Sequence, residues 1–170
     1  VDGVPKVLNL KEILQHFIDH RHEIITRRTQ FDLDKAQARE HILEGLKIAL
    51  ENIDEVVEII KASDNVDTAR TNLMKRFELS ERQAQAILDM RLQRLTGLER
   101  EKIALDYENI IKEIERLKEI LANESLVMDI IKNELLEIKE TYGDERKTEI
   151  IDAVDEILPE DLIAPEEMAV

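Results

Sequence analysis

From position 103 to 142 an apolar residue recurs at alternating steps of four and three. The series reads Ile103, Tyr107, Ile110, Ile114, Leu117, Leu121, Glu124, Met128, Ile131, Leu135, Ile138 and Tyr142, and Glu124 alone is charged. A 3.5-residue apolar period held this long lays one helix along another in a left-handed coiled coil. The pattern predicts a single helix from about Leu98 to Glu140, on the order of 65 Å long at about 1.5 Å per residue, and ended by Gly143. A less regular stripe precedes it: Leu10, Ile13, Leu14, Phe17, Ile18, Ile24, Ile25, Phe31, Ala38, Ile42 and Leu46, with Arg21 and Arg28 falling on it. Asn9 with Glu12 reads as a capping box at its start. Gly45 is about 1 kcal/mol worse than alanine in a helix interior, so a bend or break is expected near it.

Between Leu46 and Leu95 the pattern changes to short amphipathic pieces. LKIALENIDEVVEIIKA reads as helix to Ala62, Ser63–Asn65 as a break, and VDTARTNLMKRF as a second helix. A third opens at Ser80, where SERQ spells a capping box with Gln83, and runs through AQAILDMRLQRL. Thr96 with Glu99 offers one more capping box for the long seam helix. KTEIIDAV fits a short strand or a turn of helix, and Pro159 and Pro165 mark an acidic, extended exit.

A long helix does not leave a full apolar seam facing water, and the first stripe is its natural partner. Residues 46–96 join the far ends of the two helices, so they lie side by side only if antiparallel. The expected fold is mainly α: a long antiparallel two-helix coiled-coil arm with a small helical globular head at its tip. The expected divisions are an extended leader 1–9, an ascending helix 10–45, a helical head 46–96, a descending helix 97–142, and an acidic return segment and exit linker 143–170.

Composition narrows the function. The chain is 37% charged and 3% aromatic, with four glycines and three prolines, a profile of long helices rather than of a sandwich, barrel or nucleotide-binding sheet. No apolar run approaches the roughly 20 residues of a membrane span, and VDGVPK lacks a basic-then-apolar signal pattern. The absence of cysteine excludes disulfides and thiolate metal sites. A cytoplasmic location without membrane association is expected. Of the net charge of −15, residues 144–170 hold −8, ten acids opposed only by Arg146 and Lys147. Such a surface repels phosphate overall.

No catalytic, cofactor or metal constellation emerges. Tyr107 and Tyr142 both occupy the seam and read as packing residues. His16, His20 and His22 have helical spacing, but no HExxH motif or well-placed third acid completes a metal site; they read as a solvated face. The glycines are too scattered for a phosphate loop, and His41 is the only other histidine. Arg21, Arg27 and Arg28 form one basic patch, offset by Asp19 and Glu23, and read as an ion-paired helix face. In SERQAQAILDMRLQRLTG, the positions Ala84, Ile87, Leu88, Arg91, Leu92 and Leu95 form a stripe with Met90 off it. This helix is apolar on more than one side. A head this small buries little by itself, so the surface serves either the head's own core or a two-fold dimer.

These residues also carry a family resemblance. ILDMRLQRLTGLEREKI (Ile87–Ile103) closely resembles the matching segment of bacterial DNA gyrase A subunits, within the type IIA topoisomerases. So do VDGVPKVLNLKEILQHFIDHRHEIITRRTQFDL (Val1–Leu33) and AREHILEGLKIALENIDEVVEII (Ala38–Ile60), with GDERKTEI and EDLI in the tail. The likeness covers essentially the whole chain, in order. It implies a piece of a longer polypeptide, the coiled-coil arm and tip that form the exit gate, or C-gate, through which the transported DNA duplex leaves.

The family's DNA-cleaving tyrosine follows an arginine in an upstream winged-helix region. Neither Tyr107 nor Tyr142 has an arginine before it, so neither matches. The resemblance implies that the parent is an ATP-dependent type II topoisomerase using ATP and Mg²⁺ through other regions, with the gyrase B protein as a partner there and duplex DNA in transient passage. It further implies homodimerisation through the head, for which Ile87, Met90, Arg91, Leu92, Gln93, Leu95 and Thr96 are the expected contacts. Gly45 and Gly97 are the expected points of bending. The rival readings are a purely structural coiled-coil spacer, which predicts a monomer, and an arm that grips nucleic acid through Arg21, Arg27 and Arg28.

Overall fold

The structure, a computed structural model, describes residues 3–91 and 97–148. Among them are six helices and no strand: α1 Leu10–Glu51, α2 Ile53–Ala62, α3 Val66–Phe77, α4 Glu81–Leu88, α5 Gly97–Ala122 and α6 Glu124–Tyr142. The mainly α expectation holds. The chain divides into two compact units, Val1–Leu135 and Leu136–Val170.

In the first unit α1 begins as the sequence predicts. Asn9 Oδ1 accepts the Glu12 N–H at 2.9 Å, and the Glu12 carboxylate accepts the Asn9 N–H at 2.8 Å. This reciprocal pair satisfies two of the helix's orphan donors. The helix then continues through Gly45 to Glu51, where an ending at 45 was expected. Its buried side consists of Ile25, Thr29, Leu33, Ala36, Leu43, Leu46, Ala49 and Leu50. Phe31, placed on the stripe by its hydrophobicity, is 66% exposed, and Ala38 is exposed too. Thr29 takes a core position because its hydroxyl donates to the Ile25 carbonyl one turn back, at 2.8 Å, so its polar atom is not buried without a partner.

α5 packs against α1 through the expected seam: Ile103, Ile110 and Ile114 are buried, and Tyr107, Leu117 and Leu121 lie half-buried against the same core. The pairing is antiparallel. Lys47 sits over Tyr107, Asp32, Lys35 and Arg39 border Ile110 and Glu113, and Arg21 meets Glu134.

The single descending helix does not form. It breaks at Asn123 into α5 and α6. Asn123 Oδ1 accepts from the Ser125 N–H (3.1 Å) and hydroxyl (2.8 Å), a local bonding pattern that competes with helix continuation. Beyond the break the buried positions change step. Val127 (3% exposed) and the seam position Ile131 pack on Ile25, whereas the seam positions Met128 and Leu135 are 40% and 39% exposed. Glu124, the one charged seam position, coincides with this interruption.

α2, α3 and α4 close over the far end of α1. Val56, Leu73, Leu79, Ala84 and Ile87 join Leu43, Leu46 and Leu50 in one core. α3 ends where Glu78 turns left-handed, φ 54°, which sends Leu79 into that core and sets Ser80 to cap α4. Arg76 pairs with Glu55 across α3 and α2, and Arg70 donates to Gln85 at 3.1 Å across α3 and α4. α4 stops at Leu88, with the Asp89 N–H bonded to the Gln85 carbonyl at 2.9 Å; the sequence pattern extends it to Leu95. The capping residue expected at Thr96 lies outside the described residues, as does the KTEIIDAV segment from Glu149 onward.

In the second unit, taken by itself, the last turns of α6 leave Ile138 and Tyr142 exposed, against the expectation that both pack in the seam. Gly143 ends the helix, its N–H bonded to the Lys139 carbonyl at 2.8 Å. A Cβ there would sit 2.3 Å from that carbonyl oxygen, so glycine is required for the turn.

Candidate functional site

The residues expected to meet a second copy begin at the end of α4. Ile87 is 2% exposed and belongs to the chain's own core. Met90 is half-buried against that core, and Arg91 is exposed. Leu92, Gln93, Leu95 and Thr96 lie outside the described residues. Met90 and Arg91 line a cavity of ≈ 580 Å³ together with Ile42, Leu46, Ala86, Asp89 and Glu99. Apolar side chains beside both signs of charge suit a macromolecular contact more than a catalytic centre. Met90→Glu would therefore disturb the chain's own packing, and Arg91 is the cleaner probe of an intermolecular contact.

The N-terminal end of α4 is anchored by a polar cluster that sequence reading found only in part. Ser80 Oγ accepts the Gln83 N–H at 3.2 Å and Gln83 Oε1 accepts the Ser80 N–H at 2.9 Å, the expected capping box. The same Gln83 side chain is buried and also reaches α1. Its Nε2 donates to the His41 carbonyl at 2.9 Å and to Glu44 Oε2 at 3.3 Å. His41 Nε2 lies 2.7 Å from Ser80 Oγ. Opposite Gln83 is Gly45, where an added Cβ would fall 2.7 Å from both Gln83 Cβ and Cγ. The capping signature was legible; the contact with Gly45, nearly forty positions away in sequence, had no local signal.

The other candidates resolve into structure. Arg21 and Arg28 both bond Glu134 on α6, the latter at 2.7 Å, and Arg27 pairs with Glu23 at 3.5 Å; the basic patch is an ion-paired face, as read. His16 and His20 are exposed, and His22 lines a groove with Asp19 and Glu124. Among the described residues no three histidine or acidic side chains converge on a metal position, and no helix is long and apolar enough to cross a membrane. Tyr107 lies under the Lys47 ammonium, 5.1 Å from the ring centroid. Loss of solvent around the phenol, followed by the negative charges of Glu40 and Glu44 and a hydrogen bond to Glu40, raises its pKa above 10.0. Tyr142 is exposed.

A family model for the A subunits of DNA gyrase and topoisomerase IV matches residues 1–136. The chain belongs to this family. It is 59% identical over 163 residues to the DNA gyrase A protein of Halalkalibacterium halodurans, covering 96% of this chain and 20% of that protein. It is 57% identical over 170 residues to that of Clostridium acetobutylicum, covering 100% and 20%, and 48% identical over 171 residues to that of Staphylococcus aureus, covering 100% and 19%. The chain thus spans about a fifth of the length of the curated relatives it matches. The resemblance drawn from the residue blocks holds, and the matched region of the family runs through both arm helices and the tip.

Proposed function

We propose that this segment is the exit gate and a dimerisation region of a type II DNA topoisomerase, of the gyrase A type. α1 and α5 form an arm, and α2–α4 with the residues that follow form its head. Two heads meet across a two-fold axis and part to release the transported duplex. The observation that carries this reading is the family match laid on an antiparallel helical hairpin. The core at its tip is continuous with that of the arm, and Arg91 and part of Met90 are exposed beside it.

The energetic requirement on such a gate is a modest interface. Each 1.4 kcal/mol changes the open fraction about tenfold, so a contact that both holds a dimer and opens in a working cycle is limited in strength. On this reading, cleavage of DNA, hydrolysis of ATP, binding of Mg²⁺ and docking of the gyrase B protein belong to other regions of the parent complex. A soluble, cytoplasmic setting fits that assignment.

Sedimentation equilibrium of the chain over a wide concentration range tests the reading. A reversible monomer–dimer equilibrium, weakened by Arg91→Glu with unchanged far-UV circular dichroism, is the expected result. A monomer at every concentration overturns self-association through the head and leaves a coiled-coil spacer.

A further inference from the structure

Gly45 invites the reading of a flexible point in a long helix, and its surroundings give it a different purpose. α1 passes through it without a break, and the residue is buried. The space a side chain would fill is taken by Gln83 Cβ and Cγ, 2.7 Å from an added Cβ, and by Cδ at 3.2 Å. Contacts this short are incompatible with a real Cβ, and two of these atoms are the near end of the Gln83 side chain, which cannot swing away without moving α4. Gly45 is therefore a notch for the close approach of α4.

Gln83 is held in the notch from three directions. Its amide nitrogen bonds the His41 carbonyl and Glu44, its amide oxygen bonds the Ser80 N–H, and its own N–H bonds Ser80 Oγ. Ser80 Oγ is in turn within 2.7 Å of His41 Nε2. The residues that cap α4 also seat it on α1, so a shift of α4 on α1 breaks the bonds that Gln83 and Ser80 make to His41 and Glu44. Ala84, fully buried, and Ile87 follow along the same helix into the shared core.

We propose that the Gly45–Gln83 notch, closed by His41 and Ser80, is a rigid joint that fixes the head to α1. Its role in gating rests on the exit-gate reading: motion of α1 is delivered to the head undamped, and bending is taken up elsewhere than at Gly45. A polar network with every member satisfied rigidifies and specifies a single geometry in this way.

Paired spin labels at Lys35→Cys on α1 and Lys75→Cys on α3, both exposed positions, read the joint directly. Labelled chains are diluted with unlabelled protein so that only intramolecular distances contribute. The expected result is one narrow distance, lost to a broad distribution in Gly45→Ala. Gln83→Ala removes the network without introducing a clash, so it carries the same test where Gly45→Ala fails to fold. A broad or two-peaked distribution in the unsubstituted chain, or an unchanged narrow one in Gln83→Ala, overturns the joint. The gate reading stands or falls separately, on sedimentation: a monomeric chain with one narrow distance retains the joint and loses the gate.

Discussion

Alanine at Val127 and alanine at Met128, introduced one at a time, distinguish two registers of α6. The heptad seam extended from Ile103 places Met128 inside and Val127 outside. The structure reverses them, with Val127 packed on Ile25 and Met128 substantially exposed. Val127→Ala removes two buried carbons, about 1.6 kcal/mol at roughly 0.8 kcal/mol each. The residual cavity adds up to about 1 kcal/mol. Alanine's better helix propensity returns about 0.6 kcal/mol, leaving a net loss of about 1–2 kcal/mol. Met128→Ala, at a site already open to water, costs less than about 1 kcal/mol. Urea unfolding followed by far-UV circular dichroism measures both. All variants are compared at one protein concentration, because a dimer adds a concentration-dependent term to apparent stability. A Met128→Ala loss equal to or larger than that of Val127→Ala would refute the change of register, and with it the structural consequence assigned to the Asn123 break.

Two further outcomes follow from polar contacts. Glu134→Gln leaves Arg21 and Arg28 facing each other without their shared carboxylate. The expected cost is on the order of 1 kcal/mol at low salt and smaller at high salt, because the interaction is partly exposed and screened; an identical cost at both ionic strengths counts against the clasp. Tyr107 has a raised pKa, from loss of solvent first and then from Glu40 and Glu44. The folded state therefore holds the phenolic proton more tightly than the unfolded chain, whose value is about 10. Its contribution to stability is intact below pH ~10 and is lost as pH rises through the higher folded value. Tyr107→Phe should flatten that part of the stability–pH curve, and an undiminished slope would place the titration elsewhere.

Local patterns proved legible where a helix boundary is set by neighbouring residues. Asn9 with Glu12, Ser80 with Gln83, the Ser63–Asn65 break and Gly143 each act within a few positions, and the structure uses all of them. Burial was legible for α5, whose seam is nearly all Ile and Leu. It was less so for α1, because hydrophobic size does not identify the inner face of a helix with an alanine and a hydrogen-bonded threonine at contact positions. Thr29 and Ala36 lie inside while Phe31 lies outside. The Asn123 break escaped a periodicity argument since Met128 and Leu135 continue the seven-residue pattern in sequence although they are exposed, and Ile131 is buried in either register. Gly45 was misleading for a related reason. Its value depends on Gln83, a partner that only the tertiary fold brings near.

The charge pattern gains meaning from the same contacts. Several of the arm's and head's arginines are engaged within the fold: Arg21 and Arg28 by Glu134, Arg27 by Glu23, Arg70 by Asp67, and Arg76 by Glu55. A cation paired this way contributes little attraction to a distant polyanion, while acids in excess of the bases set the sign of the far field. Residues 1–143 hold −7 of the formal charge of −15, and an acidic excess of this kind repels a duplex. Under the exit-gate reading this repulsion has a direction in time. A closed gate holds DNA by enclosure, which needs no attraction. An open one must let it go, and any attraction strong enough to guide the duplex inward would also slow its release. Under that reading the clasp on Glu134 serves two ends with one arrangement: it ties the middle of α6 to α1 and it withdraws two cations from a surface that DNA has to leave.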